Sequence, residues 1–258
     1  KDEAQLILDL LKEQGFKDEF FEDKMSFLLG LKETTSQEIL DNNLGITIDK
    51  HDALGGAGII LNIKNSEILA MSSLPQFDPN KIGQMTKQKE FNRTTLGVYE
   101  LGSVFKTFTL AAGIESNIID SDTIFKNLES KIFCAGREIS EHDRLPKNLT
   151  AEQILIRSSN IGAIRMAQKI GLEKYKNFLN SLELFQKIDF DLEEVGNPLS
   201  FTWGKCKLAT ASFGHGVTTT LLQLARAYAI LGNGGNKIQP TLLKKNITFK
   251  KKTKKIIS

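Results

Sequence analysis

Ser103-Val104-Phe105-Lys106 sets a lysine inside an apolar run that begins directly after Gly102, and no other feature constrains the fold as strongly. Residues 103–115 read as a helix with Phe105, Phe108, Leu110 and Ile114 as its bulky apolar side chains. On a helix, positions i and i+3 share a face, so the Lys106 amine reaches the Ser103 hydroxyl. A serine hydroxyl is a weak nucleophile and needs a base. Burial favours the neutral amine and makes a lysine such a base. The helix N-terminus aims backbone N–H groups at the same place, where they stabilise a developing oxyanion. This is the only S-x-x-K in the chain. By itself the tetrapeptide is weak, since most such matches are surface accidents.

A second polar cluster, Ser158-Ser159-Asn160, follows 55 residues after Ser103, at a break between two helical stretches. Ser158 can relay a proton between Lys106 and a leaving group. The Asn160 amide can donate to a substrate carbonyl and hold the lysine. The plainer reading is that these residues cap the next helix.

Around these clusters the organisation is uneven. Leu6, Ile7, Leu10 and Leu11 form a short helical stripe, Met25 to Leu31 a second apolar patch, and Asp41-Asn42-Asn43 reads as a break. Gly58–Ile63 and Glu67–Ser72 read as a β-hairpin turning at Lys64-Asn65-Ser66, where Asn tolerates a left-handed backbone. Pro75 and Asp78-Pro79-Asn80 end regular structure, and residues 116–148 look irregular. Thr150 and Gln153 form a capping-box pattern, predicting a helix from Ala151. Ile161, Ile164, Ala167 and Ile170 continue at helical spacing to Gly171, a C-cap residue. Helices are predicted over Leu172–Leu184, striped by Tyr175, Phe178, Leu179 and Leu182, and over Leu221–Leu231, closed by Gly232.

Several function classes are excluded or left open. No stretch approaches the ~18–20 apolar residues of a membrane span, and no signal peptide is visible. His51, His142 and His215 are scattered outside any metal-binding frame, so a metal enzyme is not expected. His142-Asp143-Arg144 reads as a polar surface cluster, and Glu193-Glu194 as a solvated loop. Cys134 and Cys206 could pair in an oxidising compartment, but two lone cysteines decide nothing. No Asp or Glu follows Glu194, and 11 of the 34 cations do, leaving 23 cations against 31 acids, a net of −8, in residues 1–194. Such a lysine-rich end reads as solvated, and no nucleic-acid motif accompanies it.

S-x-x-K together with S-x-N is the beginning of a known signature of serine acyltransferases and β-lactamases. The contexts here are more specific. Asn92-Arg93, the run from Val98 through Tyr99-Glu100-Leu101-Gly102 to Lys106, and Ile156–Gly162 resemble class B penicillin-binding proteins around their first two motifs. Ala209–Gly216, followed by Leu222–Ala225, resembles that family's stretch upstream of its third motif. Leu101 stands where the family usually has Pro, and His215 where it more often has Gln. Gly58–Ser73 and Asp78-Pro79-Asn80 resemble the opening hairpin and loop of the domain. The likeness runs in order from about Gly55 to Lys245. It is greatest to the septal, division-specific type, through Asn92-Arg93 and Tyr99-Glu100.

The resemblance implies an α/β (α+β) transpeptidase fold of the penicillin-binding and serine β-lactamase type. An antiparallel sheet is flanked by helices, and a helical subdomain carries S-x-N. It implies a D,D-transpeptidase in which Ser103, Lys106, Ser158 and Asn160 are catalytic and Ser158, Asn160, Gly214 and Gly216 bind substrate. Implied partners are peptidoglycan stem peptides ending in D-Ala-D-Ala, β-lactams and cell-division membrane proteins, with no nucleic acid. No metal or organic cofactor is implied. The implied place is the periplasmic face of a bacterial inner membrane, with the anchor outside this chain.

The third motif, K-T-G or K-S-G, is absent: Lys106-Thr107 and Lys252-Thr253 are not followed by Gly. The chain therefore reads as stopping before that motif, with the last three sheet strands missing. Residues 1–54 read as a segment of unclear role, a possible pedestal remnant, and 55–258 as a partial transpeptidase domain. Loss of one oxyanion donor costs ~100–1,000-fold in rate. Three readings follow: an acyltransferase, a β-lactamase-like serine hydrolase, or an inactive binding or scaffold module that recognises penicillin.

Overall fold

The computed structural model describes residues 35–78, 80, 81, 83, 85–244 and 255–257. The chain divides into two compact units, Lys1–Leu54 and Gly55–Ser258. The stripes expected at residues 6–11 and 25–31, Pro79, and most of the lysine-rich end lie outside the described residues.

In the first unit, helix α1 spans Ser36–Lys50 and has no buried residue. A capping box starts it: the Thr35 hydroxyl accepts from the Glu38 amide at 3.2 Å, and Glu38 accepts from the Thr35 amide at 2.8 Å. The break expected at Asp41-Asn42-Asn43 does not occur. Asn43 instead donates its side-chain amide to the Ile39 carbonyl at 2.7 Å, one turn back, so the polar side chain follows the helix rather than competing with it.

The second unit opens with the expected hairpin, β1 (Gly56–Leu61) antiparallel to β2 (Ile68–Leu74), in register from Gly56↔Leu74 to Leu61↔Ile68. The left-handed turn residue is Ser66 (φ 70°), not Asn65. Asn62 and Asn65 act through their side-chain oxygens, which accept from the amides of Lys64 and Glu67.

A short helix α2 (Lys87–Glu90) and strand β3 (Val98–Glu100) lead to a 3₁₀ turn at Gly102–Phe105 and helix α3 (Lys106–Glu115). Phe105 and Phe108 are fully buried as expected, but Ile114 is 51% exposed. Residues 116–148 are not irregular throughout. They hold β4 (Ile124–Phe125) and a hairpin of β5 (Lys131–Cys134) and β6 (Arg137–Ser140). Ala135 (φ 49°) and Gly136 (φ 81°) make its two-residue turn, the left-handed pair that matches strand twist.

β7 (Leu149–Thr150) pairs with β4 and runs into α4 (Ala151–Ile156), started by the expected Thr150–Gln153 capping box. After Arg157-Ser158-Ser159 comes α5 (Asn160–Ile170), the centre of the unit. Ile161, Ala163, Ile164, Met166 and Ala167 are all fully buried, because α3, α6 and α7 surround the helix. Helix α6 (Leu172–Ser181) ends three residues earlier than predicted, yet Leu182 and Leu184 are still buried. A short α7 (Lys207–Ala211), strand β8 (Thr218–Thr220) and the apolar helix α8 (Leu221–Gly232) complete the described order. α8 packs against β1, and β8 pairs antiparallel with β3, so the strand before the 3₁₀ turn is tied to the one after Gly216.

Candidate active site

The 3₁₀ turn separates Ser103 from Lys106 by environment. Phe105 and Phe108 plunge into the core, in an edge-to-face contact at 5.5 Å, and anchor the turn from below. The Tyr228 hydroxyl donates to the Val104 carbonyl at 2.6 Å and pins it from α8. Ser103 is left exposed, while the Lys106 side chain is fully buried.

The Lys106 ammonium donates to Ser103 Oγ at 3.2 Å, to Ser158 Oγ at 3.0 Å and to the Ser158 carbonyl at 2.5 Å. One cation thus bridges two hydroxyls that lie 55 residues apart in sequence. Ser158 reaches it by adopting a left-handed backbone (φ 54°) in the break between α4 and α5. Burial pulls the lysine down to about 8, an effect that the nearby Glu141 carboxylate partly opposes. Near neutrality a usable fraction of the amine is free to accept a proton.

Asn160 is placed differently from expectation. Its side-chain amide donates to the Ser140 carbonyl at 3.0 Å rather than holding the lysine, whose carbonyl partner is Ser158. It lines the cleft beside Ser103 all the same. Glu141, which the sequence did not single out, organises this side. Its carboxylate accepts from Ser159 Oγ at 2.5 Å, the Asn160 amide at 2.7 Å and the Ile161 amide at 3.1 Å, capping α5 with a full charge. An acid at the end of an unrecognised strand gives no sequence signal by spacing.

Gly214 also lines the cleft. Its carbonyl accepts from the Gly102 amide at 3.2 Å, its φ is +81°, and any Cβ there would collide with the Gly102 carbonyl oxygen. Gly216 (φ +71°) stands slightly apart, its amide donating to the Glu100 carboxylate and its carbonyl accepting from Lys207. Glu100 also lies 3.2 Å from His215 Nδ1. His142, Asp143 and Arg144 are exposed, as are Glu193 and Glu194, although Glu194 accepts from the Asn92 amide at 2.9 Å. Cys134 and Cys206 form a disulfide. The cleft itself has a volume of about 840 Å³ and is open to solvent, with Ser103 and Asn160 among its walls.

The family model described as "Penicillin binding protein transpeptidase domain" matches residues 56–258. The chain is 31% identical over 211 residues to a probable peptidoglycan D,D-transpeptidase FtsI of Caulobacter vibrioides, covering 81% of this chain and 35% of that protein. It is 30% identical over 219 residues to a probable peptidoglycan D,D-transpeptidase PenA of Neisseria flavescens, covering 84% of this chain and 54% of that one. The chain therefore spans about a third to a half of these relatives' length. Among solved structures, the transpeptidase domain of Burkholderia pseudomallei penicillin-binding protein 3 superposes with a TM-score of 0.75 at 24% identity, over 86% of this chain and 63% of that one. Penicillin-binding protein 3 of Mycobacterium tuberculosis, complexed with aztreonam, gives 0.75 at 24% identity over 81% and 47%. The fold is thus the expected α/β transpeptidase fold. Two motifs in order, a buried lysine between two serines, and a family match over nearly all of the second unit agree: the chain belongs to the penicillin-binding protein transpeptidase family.

Proposed function

We propose that this chain carries the acylation centre of a peptidoglycan D,D-transpeptidase that acts in septal wall synthesis. The observation that carries the proposal is the buried Lys106 amine within hydrogen-bond reach of both Ser103 and Ser158. Relatives named D,D-transpeptidases support the substrate class.

The geometry supports a definite proton path. Neutral Lys106 takes the Ser103 proton as Oγ attacks the carbonyl of the penultimate D-Ala of a stem peptide. The tetrahedral intermediate collapses by breaking the peptide bond. Lys106 returns its proton through the Ser158 hydroxyl to the departing amine of the terminal D-Ala. An ester on Ser103 remains. The amine of a neighbouring stem peptide then attacks that ester, loses a proton back through the same pair, and leaves a crosslink and free Ser103. A β-lactam enters by the same first step, but its ring-opened amine stays tethered, so the ester persists. Asn160 and Gly214 both line the cleft; in this reading the Asn160 side-chain amide leaves the Ser140 carbonyl to meet the substrate's peptide carbonyl. Gly216 shapes the loop that follows.

The disulfide favours an oxidising compartment, in agreement with action on the outer face of the inner membrane alongside division proteins. Among the described residues no helix is long and apolar enough to cross a membrane.

Incubation with a fluorescent penicillin, followed by peptide mass spectrometry, tests the reading. A stable adduct on Ser103 that vanishes in Ser103→Ala is expected. An adduct that persists in Ser103→Ala, or none on a folded chain, overturns it. Release of the label within minutes would instead identify a hydrolase.

A further inference from the structure

The Cys134–Cys206 disulfide joins two elements 72 residues apart, and both of its cysteines line the cleft that holds Ser103 and Asn160. Both are half-buried, so a small thiol reaches them.

Each cysteine leads to a different half of the site. From Cys134 the β5–β6 hairpin returns to Ser140, whose carbonyl accepts the Asn160 amide, and then to Glu141, which caps α5. From Cys206, helix α7 leads to Gly214, whose carbonyl accepts the amide of Gly102, next to Ser103. The disulfide closes this circuit covalently. The hairpin's other ties run to α5, through Ser140 and Glu141. A two-stranded hairpin is marginal alone; here Ile132 and Ile139 are only partly buried, and Phe133 is 65% exposed.

We propose that the Cys134–Cys206 disulfide is a positioning clamp: oxidised, it holds the β5–β6 hairpin against α7 and keeps Asn160 in register with Ser103, and reduction by a dithiol loosens the site and slows acylation. The acylation part rests on the reading of Ser103 given above. In the redox step, a thiolate of the dithiol attacks one cysteine sulfur and the Cys134–Cys206 bond breaks. The second thiolate resolves the mixed disulfide. Both cysteines leave as thiols with the dithiol's two protons, and the dithiol becomes a disulfide.

A disulfide that only stabilised the fold would, on removal, lower the melting temperature and leave folded molecules reacting at the same rate. The experiment compares the oxidised chain, the chain reduced with dithiothreitol, and the Cys134→Ser/Cys206→Ser double variant, well below melting. A fluorescent penicillin supplies the non-covalent constant and the acylation rate constant separately. Hydrogen exchange is followed at Gly102, Asn160 and Ile161, with Ala227–Ile230 in α8 as the fold control. The expected result is an acylation constant lowered about tenfold without the disulfide, a smaller change in non-covalent binding, faster exchange at the three site amides, unchanged α8, and recovery on reoxidation. Equal acylation constants in the oxidised and reduced forms overturn the clamp and leave the Ser103 reading intact. If the oxidised chain takes no label, the Ser103 reading fails. The clamp then stands on faster exchange at the site amides or falls on unchanged exchange. Loss of α8 protection together with the site also overturns it, since the bond is then a general staple.

Discussion

Glu141 accepts the backbone amide of Asn160 at 2.7 Å, so an acid from the end of a hairpin caps the helix on which the second motif ends. The same carboxylate holds Ser159 Oγ and opposes the downward pull of burial on Lys106. Glu141→Ala leaves Ser159 Oγ and two helix amides without their acceptor. A loss of about 1–3 kcal/mol of stability is expected, read by urea unfolding. It should also slow labelling of Ser103, because Ser158 immediately precedes the freed segment. Glu141→Gln keeps an acceptor and loses the charge. Without that charge Lys106 should titrate lower still, moving the acidic limb of the labelling rate to lower pH. An unmoved limb would show that Glu141 acts on the helix alone.

Lys106 gives the wild type its own pH dependence. With the amine pulled down to about 8, the neutral fraction rises about tenfold per pH unit below that point and levels above it. Acylation of Ser103 should follow, rising from pH 6 to 8 and flattening beyond. The sign for stability runs the same way. The unfolded lysine holds its proton to higher pH than the folded one, so the cost of burying the charge is fully present below about 8 and is relieved as pH rises above it. Lys106→Met should abolish labelling and raise the melting temperature at pH 7. A lower melting temperature would mean that the ammonium's three hydrogen bonds outweigh its desolvation.

Much of this site was legible in sequence, and its failures share a cause. Ser103 and Lys106 meet because a helical turn is a local event that spacing encodes; the helix break at Ser158 is local too, but the packing of α5 on α3 brings it to Lys106. The Thr150–Gln153 capping box and the α5 stripe were readable as local features. Asn160's partner and Glu141 were not, because both depend on the β5–β6 hairpin. That hairpin is four residues a side and turns at Ala135-Gly136, where Ala disguises a left-handed pair. The disulfide was open for a related reason: 72 residues separate its ends, and only the fold brings them together. Asp41-Asn42-Asn43 misled in the other direction, since Asn43 can satisfy a carbonyl of its own helix.

Gly214 lines the cleft that holds Ser103, and its carbonyl accepts the amide of Gly102. Its positive φ and the Gly102 carbonyl beneath it both exclude a side chain. Gly214→Ala should cost about 2–4 kcal/mol and reduce labelling far more than it reduces stability at low temperature, because the displaced partner is the residue next to Ser103. Thermal unfolding and labelling at 10 °C separate the two effects. Labelling that falls only in step with the unfolded fraction would sink the argument.

Behind the site, the hydroxyl of Tyr175 is fully buried against Thr109, 2.8 Å away, and burial pushes its ionisation well above the ordinary tyrosine range. Thr109 in turn donates to the Ser212 carbonyl at 2.7 Å, linking α3 to the segment before Gly214. Tyr175→Phe removes the hydrogen bond to Thr109, and a long one of 3.5 Å to the Ala211 carbonyl, and keeps the ring, so a cost of about 1 kcal/mol is expected. The labelling rate should be nearly unchanged, because Thr109 keeps its bond to Ser212. A large loss of labelling would make the Tyr175 hydroxyl a support of the cleft wall.

Glu183 holds two cations, Arg226 and Lys237. The Arg226 side chain is only 4% exposed, and its Nε has no hydrogen-bond partner. Burial pushes the Glu183 carboxyl up, but its hydrogen bonds to Lys237 and Arg226 outweigh that and hold it below the usual glutamate range. The stability it contributes is therefore present above the unfolded glutamate value and is lost as pH falls through the lower folded value. Glu183→Gln should cost about 3 kcal/mol at pH 7, because it strands a buried guanidinium rather than because the pair itself is strong. The double variant Glu183→Gln/Arg226→Met removes the stranded charge and should recover most of that loss. Equilibrium unfolding of the two single variants and the double variant, at pH 7 and again at pH 3, measures the coupling. If the double variant is as unstable as the sum of the singles, the ion pair does not govern this corner of the core, and the packing of the Arg226 stem does.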